Sequence, residues 1–276
     1  LNGLLFWIAI RPIRPLRVTD VVATNGICTF LAYLPLKAGA IARVLIHNRR
    51  DRVPLLLIGS WFGAMAVTML VGFAPLILAT TWHGRVDGQW IAEVAAMEVA
   101  AGIVIVVVAG VFKGQRGVDR LHAIAARLRV RPIEKLLKTR AWANMHPGFD
   151  ILATPWSTFG SLGLRLCDAA VHSTRFLIAA HVLGVGLPLR EAVPVSLTFF
   201  LVGALSPAGM AGLREGAVMG LAGLLLHKTG AREDTIKEFA AVAVLVTATE
   251  AFVFMFAAAI GVAWLRPDRL LKLRRA

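Results

Sequence analysis

The sequence predicts an all-α, polytopic integral membrane protein, and three observations carry that reading. Hydrophobic residues make up 58% of the 276 positions and charged ones only 17%, where a soluble domain is nearer half apolar and about a quarter charged. Mean hydropathy is +0.72. Three apolar runs, roughly residues 54–82, 90–112 and 239–265, exceed the about 20 residues that cross a bilayer. Secreted disulfide scaffolds, disordered tails and cytosolic enzymes are excluded by this composition. The formal charge of +14, from 30 Lys and Arg against 16 Asp and Glu, points to anionic lipid head groups and not to nucleic acid.

Residues 1–10 are apolar but too short to span, and their basic cluster follows the run where a signal peptide would have it first. They are expected to be the tail of a membrane helix truncated at its N-terminus. Residues 18–46 are apolar but broken, by Asn25-Gly26, Pro35 and Gly39. The run 54–82 should kink at Pro75. After 90–112 comes a basic segment, 113–140, with two short amphipathic stretches separated by Pro132, expected to lie on the inner leaflet. A fourth spanning run, about 157–187, carries charges. Residues 191–227 are broken by Pro194, Pro207, Gly209 and Gly212 into apolar halves of 14 and 11 residues, 192–205 and 216–226. Neither half can span, and such lengths suit re-entrant legs. Cys28 and Cys167 lie in apolar runs without C-x-x-C spacing and are expected to be buried free thiols.

Positive charge then orients the chain. Residues 11–17, 37–52, 113–140 and 266–275 hold 22 of the 30 basic residues, and the positive-inside rule puts all four groups, with the C-terminus, in the cytoplasm of an inner (cytoplasmic) membrane. Residues 18–46 are flanked by cytoplasmic charge at both ends, so they should enter and leave on that side. The flanks of 191–227 are poorly basic, so this region should dip in from outside. The predicted architecture is four full spans, a truncated N-terminal helix and two re-entrant helical hairpins in one transmembrane domain, 1–276, with a possible inverted repeat.

Polar groups inside a membrane are costly and mark function. Both hairpin tips read proline, small residues, glycine, then arginine: Pro35, Lys37, Gly39 and Arg43 in one, Pro207, Gly209, Gly212, Arg214 and Glu215 in the other. Proline ends one half-helix, glycines let the backbone turn, and a new half-helix starts with free amides facing inward. Those amides and the arginine suit a phosphate, with Glu215 orienting an arginine. The plainer reading is that the glycines only pack helices closely and the arginines snorkel. A stripe at spacings of three, four and three, Arg165, Asp168, His172 and Arg175, occupies one helix face. It reads as the wall of a water-filled cavity, or as the solvated face of a cytoplasmic extension. Glu98 and Glu250 sit inside spanning helices and are expected to be protonated or to pair with Arg214, Arg175 or a basic substrate group. Arg214 itself is expected to hold a phosphate in its fork. No H-E-x-x-H, metal-ligand spacing, G-x-S-x-G or nucleotide-binding glycine loop is present, so no catalytic residue, metal or cofactor is expected.

Leu34-Pro35-Leu36-Lys37-Ala38-Gly39 with Ala42-Arg43, and later Pro207 with Gly212-Leu213-Arg214-Glu215-Gly216, resemble two motifs of one family. It is the transmembrane flippase-like domain at the N-terminal end of lysylphosphatidylglycerol synthases, found also as a stand-alone membrane protein. The resemblance covers about residues 18–265. It implies binding of an aminoacylated or other anionic phospholipid and its movement between leaflets. The synthase activity of that family belongs to a separate soluble aminoacyl-transferase domain, and the stand-alone form is expected here. Where many relatives carry a glutamate after the first glycine, this chain has Ala40. The ligand is expected to be a phospholipid or polyprenyl-phosphate lipid, with a soluble transferase as a further candidate partner. The alternatives are a membrane transferase using a lipid-linked donor, and a non-transporting assembly subunit for a soluble lipid-modifying enzyme.

Overall fold

The computed structural model describes residues 1–127, 139–205, 212–227 and 233–266. All regular structure among them is helical: α1 (Asn2–Ile10), α2 (Val18–Leu31), α3 (Ala38–Arg49), α4 (Leu55–His83), α5 (Gly88–Val111), α6 (Gly114–Arg127), α7 (Arg140–Met145), α8 (Pro147–Leu152), α9 (Pro155–Val182), α10 (Leu189–Leu205), α11 (Leu213–His227) and α12 (Glu233–Leu265). Among the described residues, three helices are long and apolar enough to cross a membrane: α4, α5 and residues Ile236–Leu265 of α12. Helix α9 has the length, 28 residues, but carries the charged stripe. Val99, Ile103, Val104, Val107 and Val108 of α5 all lie exposed. In water such a continuous apolar face would promote association; hydrocarbon is its natural solvent. The chain is a membrane protein.

Local chemistry explains most boundaries. Asp87 caps α5 by accepting the Trp90 amide at 3.0 Å, which holds its carboxyl below the usual range. Trp90 then donates its indole N–H to Thr80 and closes the α4–α5 turn. Helix α4 continues through Pro75. Asn25-Gly26, expected to break the first hairpin, lies inside an unbroken α2. Gly26 serves packing instead: a methyl there would meet the Ala257 carbonyl of α12 at 2.8 Å, and one on Gly261 the Ala23 carbonyl of α2 at 2.6 Å. The two backbones touch through reciprocal glycines.

The chain reverses between α2 and α3. Pro35 precedes Leu36 and Lys37, which take left-handed φ values of 63° and 55°. Gly39, expected to make the turn, is helical; a methyl on it would meet the Cys28 carbonyl at 2.1 Å, so it lets α3 lie against α2. Two consecutive non-glycine residues at positive φ store strain of about 1–2 kcal/mol each. Leu36 is 79% exposed, so Leu36→Gly should raise the unfolding midpoint and Leu36→Val lower it. Equal midpoints for both would remove strain from the account.

Asp20, at the head of α2, bonds Arg50 just past α3 at 3.0 Å and the Trp264 indole near the end of α12 at 2.9 Å. The α2–α3 pair therefore begins and ends at one end of the bundle, and Lys37 is its tip. Helices α10 and α11 pack together, and Gly203 near the end of α10 abuts Arg214 at the start of α11. Pro207 and Gly209 lie outside the described residues, as does 128–138 of the basic segment; Gly212 turns the chain at φ 83°. The core has distinct clusters. Phe176, Val195, Phe199, Val218 and Val242 join α9 to α12, Phe73, Val94, Ala169 and Leu197 join α4, α5, α9 and α10, and Leu5, Trp61, Met65 and Ile151 join α1, α4 and α8. Cys28 is buried as expected, but Cys167 is exposed. In a bilayer an apolar run has no obligation to face inward, and Cys167 sits on the outer side of α9.

Candidate functional site

Between these elements lies a cavity of about 500 Å³, lined by both helix-pair tips and by α1, α9 and α12. Lys37, Arg43, Arg214, Asp168, His172, Arg175 and Glu250 all reach it. The two motif regions, about 170 residues apart in sequence, thus contribute to one space. Lys37 Nζ donates to the Ala204 carbonyl of α10 at 2.9 Å, so one tip touches the end of the other pair.

On α3, Gly39, Arg43 and His47 recur every four residues and form the buried face. Arg43 is 6% exposed, which removes the snorkelling reading. Its Nη2 donates to Asn25 Oδ1 at 2.7 Å, and its guanidinium lies 3.8 Å from the Phe6 ring centroid. Nη1 is buried with no hydrogen-bond partner, and no carboxylate pairs with Arg43 among the described residues. A buried cation lacking an anion is an unusual expense.

Glu250 is the opposite case. Arg214 donates to one of its oxygens at 2.6 Å and Arg175 to the other at 2.7 Å. Tyr33 adds its hydroxyl at 3.2 Å. Arg214, expected to hold a phosphate, bonds Glu250, a pairing that the sequence also offered, and its guanidinium stacks 3.6 Å from the Phe199 centroid. Glu215, expected to orient an arginine, accepts a short hydrogen bond from Thr247. It diverges from Arg214 because adjacent helical residues point about 100° apart.

The α9 stripe is mostly buried, so the solvated-extension reading is set aside. Arg165 meets Asp168 at 3.5 Å. His172 stands between two acids, 3.9 Å from Asp168 and 3.7 Å from Glu250. Arg175, with 41% of its side chain exposed, reaches Glu250 from the cavity rim. Glu98 does not join this network: both its oxygens are buried without a hydrogen-bond partner among the described residues.

Sequence reasoning missed Asn25, Tyr33 and the rings of Phe6 and Phe199. Asn25 carries a signal, being an amide in an apolar stretch, but next to Gly26 it has the sequence context of a helix breaker. No group of three His, Cys, Asp or Glu suited to a metal occurs among the described residues. No protein-family model matches the chain, and neither a curated protein nor a solved structure does.

Proposed function

We propose that this protein binds the phosphate of an anionic or lipid-linked substrate in the central cavity and moves it between leaflets, as the resemblance to the flippase-like domain of lysylphosphatidylglycerol synthases implies. The observation that carries the reading is Arg43: a buried guanidinium, stacked on Phe6, with Nη1 unpartnered and no carboxylate among the described residues, in a cavity that Lys37, Arg175 and Arg214 also line. Arginine stays charged at any physiological pH, and its fork fits phosphate oxygens. The apolar exteriors of α4, α5 and α12 suit acyl chains passing outside while a head group passes inside.

In this reading α4, α5, α9 and α12 are the four full spans, and α2–α3 and α10–α11 are re-entrant hairpins entering from opposite faces, with tips that meet near mid-membrane as inverted repeats do. The basic end, with Asp20, Arg50 and Trp264 together, faces the cytoplasm of an inner membrane. Exposed Trp82, Trp156 and Trp264 near helix ends suit the interfacial aromatic belts. In a background with Cys28 and Cys167 replaced by serine, cysteines at Gly84 and Gly186 should react with an impermeant external thiol reagent, and one at Arg116 should not. External labelling at Arg116 reverses the orientation.

The functional test is reconstitution. Vesicles containing the protein should expose fluorescent phosphatidylglycerol or phosphatidic acid from the inner leaflet to an external quencher faster than protein-free vesicles. Binding without any acceleration would remove translocation and leave a lipid-binding subunit.

A further inference from the structure

We infer that the substrate presents its phosphate as a terminal monoester, a dianion, in preference to the singly charged diester of a glycerophospholipid head group; this rests on the reading of the cavity as a lipid-phosphate site. Lys37, Arg43, Arg175 and Arg214 line the cavity with two acids, Asp168 and Glu250. Four cations against two anions leave a formal surplus of two with His172 neutral. With Arg165, which binds Asp168, five cations face two anions and the surplus is three.

The pairing says where the surplus sits. Arg175 and Arg214 each hold one oxygen of Glu250, and Arg165 holds Asp168. Among the described residues, the hydrogen bonds of Lys37 and Arg43 go to neutral groups, the Ala204 carbonyl at 2.9 Å and the Asn25 amide oxygen at 2.7 Å. One surplus charge is shared within the Arg175–Glu250–Arg214 group; the two cations with no carboxylate, Lys37 and Arg43, belong to the first tip and its helix, α3, and both line the cavity. Charge taken out of water is costly unless matched in sign and number. A phosphodiester brings one negative charge and two free oxygens, which leaves one cation unmatched. A monoester brings a charge of about −1.5 to −2 near neutral pH and three acceptor oxygens. Its three oxygens offer the cavity's cations one more acceptor, and one more negative charge, than a diester does.

The test compares phosphatidic acid with phosphatidylglycerol of identical acyl chains, each displacing a fluorescent lipid from the purified protein in neutral detergent. At pH 7.5 phosphatidic acid should bind about tenfold tighter or more, since it matches one further buried charge. The preference should shrink as pH falls through about 6, where the monoester takes up its second proton. Arg43→Gln should bring phosphatidic acid down to the level of phosphatidylglycerol, and Lys37→Gln, at the partly exposed tip, should do so in part. Equal affinity for the two lipids at pH 7.5 overturns the monoester inference and leaves the lipid-phosphate site standing. Failure of both lipids to bind overturns the site itself. Inorganic phosphate competing as well as phosphatidic acid overturns the lipid as ligand, and a preference retained in both variants overturns the assignment to Lys37 and Arg43.

Discussion

Glu250→Ala should be among the most destabilising substitutions in this protein, at about 3–5 kcal/mol, because it removes the carboxylate that two cations share in a low-dielectric interior. Arg214 is buried and its Nη2 meets Glu250 at 2.6 Å, while Arg175 meets the other oxygen at 2.7 Å. Taking the carboxylate away leaves positive charge facing positive charge across the space where it stood. Arg214→Ala should cost less, since Arg175 still satisfies Glu250. Combining the two changes should recover part of the loss, as a charge no longer needs its counterion. Unfolding in mixed detergent micelles measures all three. A Glu250→Ala protein as stable as the parent would mean that the arginines are neutralised some other way.

For Arg43→Met the expected result has two parts of opposite sign. Arg43 is buried, its Nη1 has no partner, and it pairs with no carboxylate among the described residues. Methionine keeps much of the volume against Phe6 and removes an uncompensated charge, so the unfolding midpoint should hold or rise. Lipid binding should fall by about 1.5–3 kcal/mol, tenfold to a hundredfold, the usual worth of hydrogen bonds to a charged group. Arg43→Lys should restore only part of the binding, since an ammonium is a point charge without the planar fork. A structural arginine gives the reverse pattern, with stability lost and lipid content kept. Measuring the midpoint and the bound phospholipid on the same preparations separates the two.

The helical elements were legible because their signals are local. Apolar run lengths located α4, α5 and α12 to within a few residues, and Pro207, Gly209 and Gly212 divided the later broken region into halves that became α10 and α11. The stripe from Arg165 to Arg175 was equally plain, since spacing alone puts its members on one face. What the sequence concealed was tertiary. Gly39 and Gly26 have the sequence context of turn formers as much as of packing glycines; each serves the approach of another helix, and nothing nearby in sequence distinguishes the two uses. Glu250 and Tyr33 are 217 residues apart, and Arg43 depends on an asparagine on the neighbouring helix. Periodicity reports which face a residue occupies but not what stands opposite it.

Helix α12 touches different neighbours along its length. In its first half Phe239, Val242 and Val246 belong to the cluster with α9, α10 and α11, and in its second half Ala257 and Gly261 lie against α2. Glu250 stands at the changeover. One strut therefore belongs to both halves of the bundle, and its only carboxylate in that region is bonded to guanidinium groups from the α9–α11 side. An anion that draws Arg175 or Arg214 towards itself loosens the joint at which the halves are coupled. Occupancy and shape then become linked quantities, since any ligand that competes with Glu250 must favour whichever arrangement of the halves holds that carboxylate least tightly.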